Sequence, residues 1–500
     1  MNHFLEMISG AGKKKSVKGV TSAMEKIKKA EDLRTQGLFK QCIKYAREGL
    51  SVAEEMGSKE EIAKACEVLC DSYYEVNEYE KSIGFGKRSL DIVKTMGDKK
   101  QEALLYFNLA WSYYDAGDYK QSQEYGKQAV SIAQELGNRE LEAKACHVLA
   151  WSYKEVVDYE RSKKYGKQSL SIAKQVRNEK LEAKACQFLA WLYSEMTEHK
   201  DSKDYGEQSL RLAKKIRNKG LEAEACHVLA WSCHKSGDYE ESKEYGYQFL
   251  NIALEVENNE LEAKACHVLS WSYHMIGDDL RSEAEELRSN WAAATIGKTY
   301  HSLEWLGGEM REEELPENMY KYSLELSRDS TEKYIQSQSY SRRSLRIAQV
   351  VGDRELQAEA LCALAWSLYR VGDFTESIKY CKQLLKIARE VQNKELEAEA
   401  CFLLGWSYNL TYKFLRSKKY SEHSLRIAKE VKNKKLEKEA SIFVQDLSYE
   451  LSYAVTKSDD DDSDEEVLEY SMSGRDVTMQ KTNFQMIYKW RAFDLFRWTQ

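Results

Sequence analysis

Apolar positions in the middle of the chain recur at spacings of three and four. From Arg139 onward, Leu141, Ala145, Val148, Leu149, Ser152 and Val156 fall on one stripe at the α-helical period, with charged residues between them. The pattern predicts an amphipathic helix. It breaks at Val156-Val157-Asp158, where sister segments carry Gly117-Asp118, Gly237-Asp238 and Gly372-Asp373. A second helix is predicted from about Tyr159. Its Ser162, Gly166, Ser169 and Ala173 form a face of small residues that lets a neighbouring helix come close. Gly137, Asn178, Asn218 and Asn393 fall where helix C-caps are expected.

The two-helix pattern then repeats. Trp111, Trp151, Trp191, Trp231 and Trp271 are each 40 residues apart, as are Trp366 and Trp406. A period of this size marks stacked repeats. Earlier segments hold Glu31 and Asp71 in the tryptophan slot. After Trp271 the period fails. The stretch from Arg342 fits a second helix again and places the slot at Leu326, which is 55 residues on, or one period plus 15. The extra residues fall within Leu287 to Pro316. The expected division is a basic N-terminal segment (1–21), a first stack (22–297), an irregular junction (298–317), a second stack (318–455), an acidic linker (456–483) and an aromatic amphipathic C-terminal segment (484–500).

Composition supports an all-α chain. Pro316 is the one proline in 500 residues, and 31% of residues are charged. The 32 tyrosines suit amphipathic packing. A formal charge of −7 disfavours a general nucleic-acid binder. No apolar run reaches the roughly 18 residues of a membrane span. The stretch "MNHFLEMISGAGKKK" lacks a secretory core, so a cytoplasmic location is expected, with a nuclear one left open. Cys66, Cys146, Cys186, Cys226, Cys266 and Cys401 share one slot, five residues before the tryptophan slot. Equivalent positions in stacked helices lie about 8–10 Å apart, beyond the roughly 7 Å a disulfide allows between Cα atoms. These are predicted to be reduced thiols in the core.

The blocks resemble tetratricopeptide repeats, in the lengthened 40-residue form of the LGN/Pins family of cell-polarity adaptors, and are similar to those of kinesin light chains. Leu149, Ala150 and Tyr153 match the central Leu-Gly-x2-Tyr of the family pattern. Cys146 replaces the usual bulky aromatic, Ser162, Gly166 and Ser169 replace alanine, aromatic and alanine, and Lys174 stands where the shorter form has proline. The match runs from about Met24 to Tyr453. The resemblance implies a right-handed superhelical solenoid of about ten stacked helix pairs, with an irregular repeat near 280–317. It also implies a non-enzymatic adaptor whose first helices line a concave groove. The polarity adaptors carry G-protein-binding motifs after their repeats, ending in an acidic-Gln-Arg triplet, and none follows Tyr453 here.

At 100° per residue, Trp151 lies about 120° from the centre of its helix's apolar stripe, beside Lys144, His147 and Lys154. The family's groove face is this one. The candidate groove residues are Trp111, Lys144, His147, Trp151, Lys154, Lys184, Trp191, His227, Trp231, His234, Lys264, His267, Trp271, Trp366 and Trp406. The tryptophans either touch ligand or act as spacers between repeats. The slot seven before each tryptophan reads Lys144, Lys184, Glu224, Lys264 and then Glu359, Glu399. A ligand with its acidic part on the first stack fits that order.

The expected partner is a peptide or protein. The chain's own "NFQMIYKWRAFDLFRWTQ" (Asn483–Gln500), in which Met486, Trp490 and Phe493 form a helical stripe, is another candidate. RNA stacking on the tryptophans, as in interferon-induced tetratricopeptide proteins, is the alternative; the acidic balance disfavours it. No catalytic residue, cofactor or metal site is expected. "GAGKKKS" would need glycine at Met7 and serine or threonine at Lys14 to bind phosphate as a P-loop. His227 and His234, like His267 and His274, are seven apart, or about 10 Å along a helix, too far to share one zinc ion. Ser463, followed by three acidic residues, resembles an acidophilic kinase site.

Overall fold

A computed structural model describes residues 22–297 and 315–455, with side chains given outside 289–320 and 449–455. Among the described residues there are nineteen helices and no strand. Helix α1 covers 22–35. It is followed by α2 (Phe39–Met56), α3 (Lys59–Glu75), α4 (Tyr79–Met96), α5 (Lys99–Asp115), α6 (Tyr119–Glu135), α7 (Arg139–Glu155), α8 (Tyr159–Gln175), α9 (Glu179–Glu195), α10 (His199–Lys215) and α11 (Lys219–Ser236). Then come α12 (Tyr239–Glu255), α13 (Asn259–Gly297), α14 (Leu315–Val351), α15 (Arg354–Val371), α16 (Phe374–Glu390), α17 (Lys394–Leu410), α18 (Phe414–Glu430) and α19 (Lys434–Val455). They form two compact units, one ending at Ser232 and the other beginning at Cys233. The sequence 1–21, the linker 456–483, the segment 484–500 and Ser463 lie outside the described residues.

Apart from the stretch between α13 and α14, each break is three residues or fewer and holds one left-handed residue, and most end in a side-chain cap. Gly117 (φ 80°) and Gly137 (φ 66°) take the left-handed position at no steric cost. The next residue opens the following helix. The Asp118 carboxylate accepts from Gln121 N–H at 3.1 Å, and the Asn138 amide oxygen from Leu141 N–H at 3.1 Å. This corrects the reading of Asn178, Asn218 and Asn393 as C-caps. Each caps the N-terminus of the next helix, accepting from Leu181, Leu221 and Leu396. The left-handed residues before them are Arg177, Arg217 and Gln392, types that carry no turn signal.

Small residues on the even helices set the packing. A Cβ on Gly126 would stand 2.8 Å from Leu149 on α7, and one on Gly166 would stand 2.8 Å from Phe188 on α9. Each glycine therefore seats a large side chain of the next odd helix. The serines bond between helices. Ser122 Oγ donates to the Ala110 carbonyl at 2.8 Å and meets Ser152 Oγ at 2.6 Å. Ser169 donates to the Ala143 carbonyl, 26 residues back in sequence. All eleven cysteines are buried and free. Burial pushes the Cys146 thiol up to about 12, which keeps it protonated.

The same rung dates the irregularity in the second unit. Ser344 donates to the Ala263 carbonyl, a separation of 81 residues instead of 26. The difference, 55 residues, equals the spacing from Trp271 to the slot placed at Leu326. The C-terminal half of α14 thus plays second helix to the start of α13, and α13 and α14 pack along each other. Both α13 and α14 belong to this unit. Gly277-Asp278 matches the turn signal of the sister repeats, yet α13 runs straight through it. A Cβ on Gly277 would stand 2.9 Å from the Tyr334 ring, so this glycine serves close approach. Asp278 accepts from Tyr334 Oη at 2.5 Å and from Arg370 Nη2 at 2.8 Å rather than capping a helix. Tertiary contacts from α14 and α15 override the local turn.

Candidate functional site

Consecutive odd helices touch directly within each unit: α3, α5, α7 and α9 in the first, and α13, α15 and α17 in the second. The tryptophan slot lies on these helices and on α11. Trp111, Trp151, Trp191, Trp231, Trp271 and Trp366 are half-buried. Each keeps an edge against its neighbours. Trp151 lies 4.9 Å from Phe188 of α9, centroid to centroid and nearly perpendicular. Trp111 lies 6.2 Å from His147, and Trp191 lies 5.3 Å from His227. Trp366 packs edge-on against Tyr369. The spacer role is thus seen in these ring contacts, and the rings stay half-buried.

Two histidines belong to this ladder. Trp151 Nε1–H donates to His147 Nε2 at 3.2 Å, and Trp231 Nε1–H to His227 Nε2 at 2.9 Å. Accepting at Nε2 places the His147 proton on Nδ1, which is buried without a protein partner. Burial, helped by Lys184, holds the His147 imidazole down to about 3. His234, beside Tyr239 in the second unit, is half-buried and held down to about 4, also by burial first.

Two expected groove residues are not on the open face. His267 is 6% exposed, enclosed with its Nε2 3.6 Å from Glu359. Trp406 is 8% exposed because the Phe443 ring of α19 stacks on it at 4.0 Å. The lysines are also not free charges. Lys144 pairs with Glu140 at 2.6 Å, Lys264 with Glu260 at 2.6 Å and Lys154 with Glu155 at 3.2 Å. Lys184 stays exposed. Glutamates one turn before Lys144 and Lys264 were the available signal.

Sequence reasoning missed two polar features. In the first unit, Tyr74 donates to Asp115 at 2.6 Å and Tyr114 to Glu155 at 3.1 Å, each reaching the next odd helix. In the second, His274 sits among Asp278, Arg370, Tyr334 and Ser367, its Nε2 3.8 Å from Asp278 and its Nδ1 3.3 Å from Ser367 Oγ. Among the described residues no group of three or more His, Cys, Asp or Glu is placed to hold a metal ion. No described helix is long and apolar enough to cross a membrane.

Tetratricopeptide repeat models match residues 61–135, 100–175 and 330–390, and a second such model matches 223–253. The chain thus carries tetratricopeptide repeats, and its paired helices pack as a solenoid of that type. No curated protein matches the sequence. Among solved structures, one similar fold is a signal transduction ATPase with numerous domains and a tetratricopeptide repeat sensor, from Pyrococcus horikoshii. It is 13% identical with a TM-score of 0.52, over 81% of this chain and 54% of that one. The quorum sensor NprR from B. thuringiensis is 13% identical over 73% of this chain and 87% of that one, with a TM-score of 0.48. Aspartyl phosphate phosphatase F from Bacillus subtilis is 12% identical over 81% and 94%, with a TM-score of 0.45.

Proposed function

We propose that this repeat-bearing chain is a non-enzymatic scaffold that holds a peptide or a partner protein against the tryptophan-bearing face of its odd helices. One observation carries the reading. The tryptophans are fixed along one edge by the next helix and open along the other, so a ligand meets rigid aromatic surface with little ordering cost. RNA fits this face less well. The lysines that would meet phosphates are largely paired with glutamate, and carboxylates such as Asp115 and Glu155 stand beside the rings.

Affinity capture from cell extract tests the proposal. The double variant Trp151→Ala/Trp191→Ala is expected to lose captured protein that the parent retains. Trp151 also packs on Phe188, so a folded control is needed. Lys184→Glu provides one, since Lys184 is exposed. It should weaken capture with circular dichroism unchanged. Capture unaffected by either variant overturns the reading.

A further inference from the structure

The last helix pair differs in charge from the pair before it. Residues 373–398 hold five lysines and arginines and five carboxylates. Residues 413–438, the same stretch one 40-residue step on, hold ten and three. The ion pairs differ likewise. In the earlier stretch Lys379 pairs with Glu376 at 3.0 Å, Lys386 with Glu390 at 4.0 Å, and Arg389 and Lys394 with Glu397 at 2.8 and 3.1 Å. In the later one, Lys418 with Glu422 at 4.0 Å is the one lysine or arginine ion pair among the described residues. Arg416, Lys419, Arg426, Lys429, Lys432 and Lys435 are all exposed. Crowded like charges repel, and a carboxylate-rich partner relieves them.

The complement is in the same chain. Residues 459–466 carry seven carboxylates in eight positions and lie outside the described residues. They begin four residues past Val455, the end of α19. Helices α18 and α19 pack against each other across a short break, with Phe414 and Leu447 in one cluster. The end of α19 is therefore beside the start of α18, where Arg416 and Lys419 stand. Helix α19 has 22 residues, about 33 Å at 1.5 Å each. The eleven residues from Val455 to Glu466 reach at most about 36–40 Å when extended. That is enough to run back along the whole hairpin, as far as Lys435.

We propose that residues 459–466 dock in cis on the basic flank of α18 and α19, their carboxylates supplying the ion pairs that the last helix pair lacks. Each exposed pair is weak alone. The tether brings the effective concentration to about the millimolar range, so several weak pairs together hold the run in place. An outside acidic ligand then meets a flank that is already neutralised. This contact is separate from the tryptophan face, and neither reading depends on the other.

Carbodiimide coupling tests it, since the reagent joins a carboxylate to a lysine amine in contact with it. In dilute full-length protein, half of it isotope-labelled, mass spectrometry should find 459–466 linked to Lys419, Lys429, Lys432 or Lys435 of the same chain. The links should vanish in about 1 M salt, where screening sets in within about 3 Å. Links only between two chains, or in equal yield to lysines of the first unit, overturn the proposal. A second arm titrates a fluorescein-labelled peptide of the sequence 459–466 by anisotropy. A full-length variant with these seven carboxylates changed to amides should bind it about tenfold or more tighter than the parent, because its own run no longer competes. Adding Lys429→Glu/Lys432→Glu/Lys435→Glu to that variant should abolish the gain. Adding Lys44→Glu/Lys59→Glu/Lys100→Glu instead, three exposed positions of the first unit, should keep affinity within about twofold. Equal affinity of parent and amide variant would mean that the flank is free for outside acids, and it too overturns the proposal.

Discussion

His147 couples the tryptophan ladder to pH. Its imidazole accepts the Trp151 N–H and is surrounded by Trp111, Trp151 and Phe188. Burial holds its pKa to about 3, against 6.5 in the unfolded chain. The folded value lies below the unfolded one, so between them the unfolded state binds the extra proton. Stability from this group is present above 6.5 and is lost as pH falls toward 3. His147→Gln removes the effect, and the next repeat already uses Gln187 in that slot. Relative to the parent, the variant should fare better at pH 5 than at pH 8, by about 2 kcal/mol. Chemical denaturation at the two pH values checks this. An equal difference at both would mean that His147 takes up its proton freely in the fold.

At the scale of the element, α13 has replaced a turn with a charge pair. Burial pushes the Asp278 carboxyl up, but Arg370, His274, the Tyr334 hydroxyl and Arg281 together outweigh it and hold the carboxyl below the usual range. Arg281 also donates to the Arg370 carbonyl at 3.1 Å. Removing one partner of a buried pair strands the other. Asp278→Asn should therefore cost about 3 kcal/mol or more, while the double exchange Asp278→Leu/Arg370→Met should recover most of it. Equilibrium unfolding of the three proteins tests the point, and a neutral single variant would sink it. This helix also marks where the sequence stops being informative. The tryptophan period located every regular pair, because each slot recurs with the same neighbours. It could not show that Gly277-Asp278 fails to turn, because the decisive groups, Tyr334 and Arg370, lie 57 and 93 residues after Gly277. The candidate face was half legible: the tryptophan slot showed in the period, but the burial of Trp406 did not, because Phe443 lies 37 residues after it.

Across the whole molecule, stability is a sum of repeat and interface terms, since each helix packs mainly on its sequence neighbours. A lesion in one pair should stay local. Gly166 on α8 is the sharpest place to make one. A Cβ there would already meet Phe188 at 2.8 Å and Leu189 at 3.0 Å, both in the core that also holds Ala150, Leu170 and Tyr193. Leucine must displace Phe188, and Phe188 supports Trp151. Gly166→Leu should destabilise its surroundings by roughly 1–3 kcal/mol through overpacking, although glycine itself is a poor helix former. Hydrogen exchange read helix by helix distinguishes local from global loss. Protection should fall in α7, α8 and α9, while α15 to α18 keep theirs. A uniform fall across both units would mean that the array unfolds as one cooperative body. An unchanged profile would mean that the leucine finds room, and that glycine is not required where the next helix crosses.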